Sequence, residues 1–120
     1  MKFTKLYTGE DNKSYFEEID AGIETKRLLG NYSKKYLVNG LMFRDFEKNA
    51  LFDWHTAPQP QYIIYLEGEV EVEASGGETR IFSVGDILFA TDIAGKGHIT
   101  RTLTNGKSII VTTEDSIAEK

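Results

Sequence analysis

Short alternating segments at regular intervals, turn chemistry between them and almost no helical periodicity predict an all-β sandwich or barrel. The alternation is plainest in QYIIYLEGEVEVEAS (residues 61–75), where Glu69, Glu71 and Glu73 fall on one face and Val70 and Val72 on the other. The punctuation is plainest at Gly76-Gly77, Ser83-Val84-Gly85-Asp86 and Asn105-Gly106. A single domain is expected to cover residues 1–120, because a chain of this length buries well over half its unfolded surface.

The elements follow in order. KFTKLYT (2–8) and SYFEEI (14–19) alternate and flank the turn-forming GEDNK (9–13), giving N-terminal strands within residues 1–20. Residues 20–36 leave a loop and a helical turn ending at Gly30 equally open. LVNGLMFRDFE (37–47) holds Asn39-Gly40, which predicts either a tight turn or a bulge at Gly40. Residues 61–75 read as a long strand or a strand pair broken at Gly68. ETRIF (78–82) and ILFAT (87–91) are further strands, and DIAGKG (92–97) is a loop. HITRTLT (98–104), Asn105-Gly106 and KSIIVTTE (107–114) predict a closing hairpin. SIAEK (116–120) is expected to be frayed or a short terminal turn.

Composition narrows the function. Net charge is −5 with acids and bases interspersed, so no basic stripe offers itself to nucleic acid. There is no cysteine, which excludes disulfides, thiolate metal sites and cysteine nucleophiles. The start lacks a signal-peptide apolar run, and the longest apolar run, YIIYL, is far below membrane-span length. A soluble cytoplasmic protein, partnering neither nucleic acid nor membrane, is the expectation.

The unusual residues concentrate in WHTAPQPQY (54–62), which holds the only tryptophan, both prolines and one of the two histidines. Pro58 and Pro60 cannot continue a ladder, so the chain bends there and re-enters a strand at Gln61. By parity Ala57 shares the face of His55, Ile63 and Tyr65 share that of Gln61, and Thr100 shares that of His98. Both histidines are expected at strand starts beside rigid or glycine-rich loops.

These residues resemble the two motifs of the cupin superfamily, small β-barrels that often hold a metal ion. The first motif runs histidine, any residue, histidine, a short spacer, glutamate, six residues and glycine; here it reads His55, Thr56, Ala57, Pro58 to Pro60, Gln61, six residues and Gly68. The second runs from Gly85-Asp86 to His98. The resemblance covers about residues 40–112 and implies a single-domain cupin-type β-barrel, jelly-roll-like, with little helix. It also implies a cavity that binds a small-molecule ligand or substrate, and a homodimer, since cupins often exchange N-terminal strands and KFTKLYT suits that.

The departures alter the implied site. Ala57 replaces the second histidine and Gln61 the glutamate, Thr91 and Thr102 stand at the proline and asparagine positions, and Gly85 and His98 lie two residues further apart. The metal-ligand set shrinks to His55, Gln61 and His98, all uncharged. A divalent ion, Zn, Ni, Fe or Mn, or no metal at all, is compatible with it. Asp92 or Asp53 would have to supply any carboxylate.

Two functions stay open for the cavity, beside a third reading in which the barrel is degenerate and kept mainly as a dimer. In one, His55 and His98 are catalytic and move a proton near a carbonyl or hydroxyl in an isomerase, lyase or dehydratase, with Ala57, Gln61, Ile63, Tyr65 and Thr100 around the ligand. In the other, the cavity is a non-catalytic small-ligand or metal-binding module. Other features read structurally. Tyr62 packs, Trp54 points outward, Asp86 is turn chemistry and the glutamate row is a solvated face. GKGH (95–98) is no phosphate loop, because a strand follows it, and Lys96 is a loop charge. Arg44 and Arg101 reach either the pocket rim or a partner.

Overall fold

The computed structural model describes residues 1–114, and no helix occurs among them. The all-β class expected from the alternation is therefore the class observed. The strands are β1 (Lys2–Thr8), β2 (Ser14–Asp20), β3 (Thr25–Arg27), β4 (Gly30–Tyr32), β5 (Gly40–Phe46) and β6 (Leu51–His55) in the first half. The second half adds β7 (Gln61–Glu67), β8 (Val70–Ala74), β9 (Thr79–Phe82), β10 (Ile87–Ala90), β11 (His98–Thr102) and β12 (Gly106–Thr112).

Two sheets face each other in a jelly-roll-like sandwich. One has the order β2-β1-β10-β7-β12-β5, the other β6-β11-β8-β9, and β3 and β4 form a separate ribbon. β1 runs parallel to β10 and the remaining pairs are antiparallel. The core forms where period-two alternation turns apolar side chains inward. Leu6, Ile63, Tyr65, Leu88 and Ile110 from the large sheet meet Val70, Val72, Ala74 and Phe82 from the small one. Burial of each of the larger aliphatic and aromatic side chains among these stabilises the fold by about 1.5–3 kcal/mol. A second cluster lies on the outer face of the large sheet, where Tyr62 stacks on Phe89 at 4.0 Å and both flank Phe3. This is the packing role expected of Tyr62.

Gly68, at φ 85°, breaks residues 61–75 into β7 and β8 and hands the chain from one sheet to the other. Three local expectations are corrected. Asn105-Gly106 makes no hairpin, because β11 and β12 belong to different sheets. Neither residue has the positive φ that such a turn requires. Gly106 serves close approach instead: a Cβ there would sit 2.2 Å from the Glu67 carbonyl oxygen. Asn39-Gly40 forms neither tight turn nor bulge, since Gly40 opens β5 opposite Thr112 in continuous register. Residues 20–36 contain the β3–β4 ribbon and no helical turn. The expectation for residues 116–120 lies outside the described residues.

β1 lies inside its own sheet between β2 and β10, and both the Thr91 amide and its hydroxyl donate to the Leu6 carbonyl. No helix among the described residues is long and apolar enough to cross a membrane.

Candidate functional site

Between the sheets lies a cavity of about 730 Å³ that is open to solvent, with the edge strands β5 and β6 contributing to its wall. His55, Ala57, Gln61, Ile63, Tyr65, His98 and Thr100 all line it. These are the residues that motif spacing and strand parity single out in the sequence, and they share one cavity lining.

A bulge aims the first histidine. Opposite β11, His98 pairs with His55 and Thr100 with Phe52, so β6 spends one more residue than its partner over this stretch. The extra residue brings Phe52 and His55 to the same face, with ring centroids 3.5 Å apart and planes within 8°. Trp54 falls on the outside, about half exposed. The Pro58–Pro60 bend then carries the chain to β7 and puts Gln61 at the inner start of that strand. Ala57 is held at the turn by its amide, which donates to the Asp92 carbonyl.

Gly97 sets the second histidine. Its φ is +72°, and a Cβ there would lie 1.9 Å from the His55 carbonyl oxygen. Only glycine lets β11 start so close to the end of β6. The imidazole centroids of His55 and His98 are consequently 4.3 Å apart, although the residues are 43 positions apart in the chain.

Each ring is oriented through Nδ1. His98 Nδ1 lies 2.5 Å from Asp92 Oδ2, and Asp92 is fully buried. His55 Nδ1 lies 2.8 Å from the Asp53 main-chain carbonyl. A carboxylate and a carbonyl only accept, so each Nδ1 is an N–H donor, and in a neutral ring the lone pair is then at Nε2. Burial pushes the His55 imidazole below its ordinary value. The neighbouring His98 acts in the same direction, while the Asp53 carbonyl and Asp92 oppose it. At neutral pH the ring is therefore an uncharged lone-pair donor.

Asp92 and Asp53 do not complete a carboxylate triad. Asp92 sits at the Nδ1 edge of His98, and the Asp53 side chain accepts from the Trp54 amide. No cluster of three His, Cys, Asp or Glu residues suited to a metal occurs among the described residues. The donors lining the cavity are two imidazoles and the Gln61 amide, a set weaker for a divalent ion than one that includes a carboxylate.

The sequence left three contributors to the site unplaced, two in the cavity wall and one behind it. Asp92 is a positioning group, Phe52 stacks on His55, and Arg44 lines the cavity. The bulge is invisible to parity, and both faces of LMFRDF carry apolar residues, so neither Phe52 nor Arg44 could be assigned a side. Arg44 Nε donates to Ser108 Oγ at 2.8 Å, and its guanidinium carbon lies 5.4 Å from the Phe46 ring centroid. Tyr65 is stacked on Phe82 and its phenol is pushed up to about 12 by burial, against the opposing effect of Arg44. Arg101 instead bonds Glu71 and Glu73 on the outer face, and Lys96 lies beside Trp54 and Ser75, away from the cavity.

No protein-family model and no curated protein matches the chain. Solved structures do. A conserved protein of unknown function from Streptococcus pyogenes aligns with a TM-score of 0.52 at 16% identity, over 81% of this chain and 87% of that one. A protein provisionally described as ethanolamine utilization protein Q, from Salmonella typhimurium LT2, aligns with a TM-score of 0.46 at 19% identity, over 95% and 96%. CENP-C of Drosophila melanogaster, in a structure with CAL1, aligns at 0.43 and 16%, over 92% and 75%. The streptococcal likeness is one of fold alone.

Proposed function

We propose that this chain is a cupin-type protein whose cavity binds a small molecule at the paired imidazoles, with His55 and His98 as its acid–base groups. One observation carries the reading: both Nδ1 atoms are engaged by oxygen acceptors, so the two Nε2 atoms are the ring nitrogens left for a ligand in the cavity that Gln61 also lines. The class of reaction favoured is isomerase, lyase or dehydratase chemistry. His98 Nε2 takes a proton from carbon beside a carbonyl or hydroxyl, and Asp92 stabilises the imidazolium that forms. His55, 4.3 Å away and neutral, relays or returns the proton. The Gln61 amide hydrogen-bonds the ligand oxygen, while Ala57, Ile63, Tyr65 and Thr100 wall it in.

The same Nε2 atoms and the Gln61 oxygen would hold a divalent ion, Zn, Ni, Fe or Mn, which would polarise that oxygen. A non-catalytic module binding a ligand or metal uses the same donors. The test is a thermal-shift titration with Zn²⁺ and Ni²⁺ together with metal analysis of untreated protein. Wild type is expected to gain several degrees in Tm with at least one ion, and His98→Ala to lose the gain while remaining folded. A gain that survives His98→Ala and His55→Ala together removes the site from this reading.

We also propose that the chain works in the cytoplasm as a homodimer. By strand register, Leu41 and Phe43 adjoin Ile109 and Val111 on the outer face of the large sheet, with Phe43 79% and Leu41 58% exposed. With Leu37, Val38 and Leu66, also exposed, this face offers on the order of 500 Å² of apolar surface, more than a lone domain usually leaves open. A second copy turned about a two-fold axis covers it. Light scattering is expected to give the mass of two chains, and Phe43→Glu that of one; a monomeric wild type ends the proposal.

A further inference from the structure

We infer that the ligand is a small organic acid whose carboxylate is received by Arg44, at the far end of the cavity from the histidines. The inference rests on the reading of the cavity as a small-molecule site and names the class of molecule.

Arg44 is half-buried and lines the cavity, yet no ion pair is seen at it among the described residues. Arg80 and Arg101, on the outer surface, each pair with two glutamates. A partly desolvated guanidinium without a counter-ion is costly, and an anion arriving with the ligand offsets that cost. The side chain is also held for the purpose. Arg44 Nε donates a hydrogen bond to Ser108 Oγ, the Tyr65 phenol adjoins the guanidinium, and the Phe46 ring supports its face. The remaining N–H groups form a preoriented fork that suits a planar carboxylate.

Strand register sets the spacing. Arg44, Ser108 and Tyr65 lie in one row across β5, β12 and β7. Gln61, at the histidine end, is four residues back along β7, about 13 Å at the rise of a strand. The row between them, Met42, Ile110, Ile63 and Leu88, is apolar. The cavity therefore matches a molecule with an acid group at one end, an apolar stretch in the middle and a proton-active oxygen at the other. A carboxylate is preferred to a phosphate, because a single negative charge is less costly to bring into this apolar enclosure.

Calorimetric titration with octanoate, octanamide and octyl phosphate tests this. Octanoate is expected to bind wild type at least about tenfold more tightly than octanamide, the range of a charge-assisted hydrogen bond. Arg44→Met should reduce octanoate to the amide's affinity and leave the amide unchanged, and Arg44→Lys should retain part of the preference. Should Arg44→Met fail to fold, the octanoate-to-octanamide ratio in wild type decides. Equal affinities for those two overturn the inference and leave the cavity reading standing. Tighter binding of octyl phosphate overturns the choice of a carboxylate. Binding of none of the three overturns both readings.

Discussion

Gly97→Ala is expected to destabilise the protein by about 3 kcal/mol or more, with loss of the paired-histidine geometry. Two costs combine. An alanine at φ +72° pays left-handed strain of about 1–2 kcal/mol. Its Cβ must also displace the His55 carbonyl oxygen, which lies 1.9 Å from the ideal Cβ position. That atom belongs to backbone and cannot rotate away, so β6 and β11 must separate where they pair His55 with His98. Such overpacking adds about 1–3 kcal/mol. Gly22 supplies the control, because it has the same φ of +72° with nothing within 4 Å of a Cβ. Gly22→Ala should show the strain alone, about 1–2 kcal/mol. Urea unfolding of both variants measures the difference. If the two variants unfold at the same midpoint, Gly97 is an ordinary turn glycine and the closeness of the two strands does not depend on it.

The particular residues show what a sequence of this kind reveals. Alternation placed Val70 and Val72 in the core and Gln61, Ile63 and Tyr65 on the cavity wall, because a strand's period of two leaves a side chain only two directions. The histidines were legible for a different reason: they stand where the chain must bend or turn, and a jelly roll gathers those ends. What failed depended on partners distant in sequence. Asn105-Gly106 carries a strong local hairpin signal, but the packing of Gly106 against Glu67 and Phe46 directs the chain to the opposite sheet. The bulge in β6 arises only against β11, so the inward turn of Phe52 has no local mark. Arg44 alternates with Leu41, Met42, Phe43 and Phe46, and with apolar residues on both faces only the three-dimensional arrangement decides which side is wet. Asp92 was visible as an acid near His98, but its place behind the ring depends on a loop conformation that no periodicity describes.

That placement leads to the second large effect. Asp92→Leu is expected to cost about 2 kcal/mol in stability and to abolish the response to metal, although Asp92 touches neither cavity nor ligand in this reading. Two terms oppose each other. Removing the carboxyl group relieves a buried polar group whose Oδ1 has no hydrogen-bond partner among the described residues. It also strands the His98 Nδ1 proton in a site only 6% exposed, at a cost of about 1–3 kcal/mol, and leaves the ring free to change tautomer. The second term wins while His98 remains. If His98 is replaced as well, the orphaned donor disappears, so Asp92→Leu combined with His98→Leu should recover part of the stability lost by the first change alone. Asp92→Asn keeps an acceptor at Nδ1 and should hold the ring, with metal affinity reduced about 10–100-fold. Nitrogen NMR of the imidazole separates orientation from mere stability: wild type and Asp92→Asn should carry the proton on Nδ1, whereas Asp92→Leu should show a mixture. A strictly additive double variant, or a single tautomer unchanged by leucine, would mean that the 2.5 Å contact is packing and that the lone pair at Nε2 is not being set by Asp92.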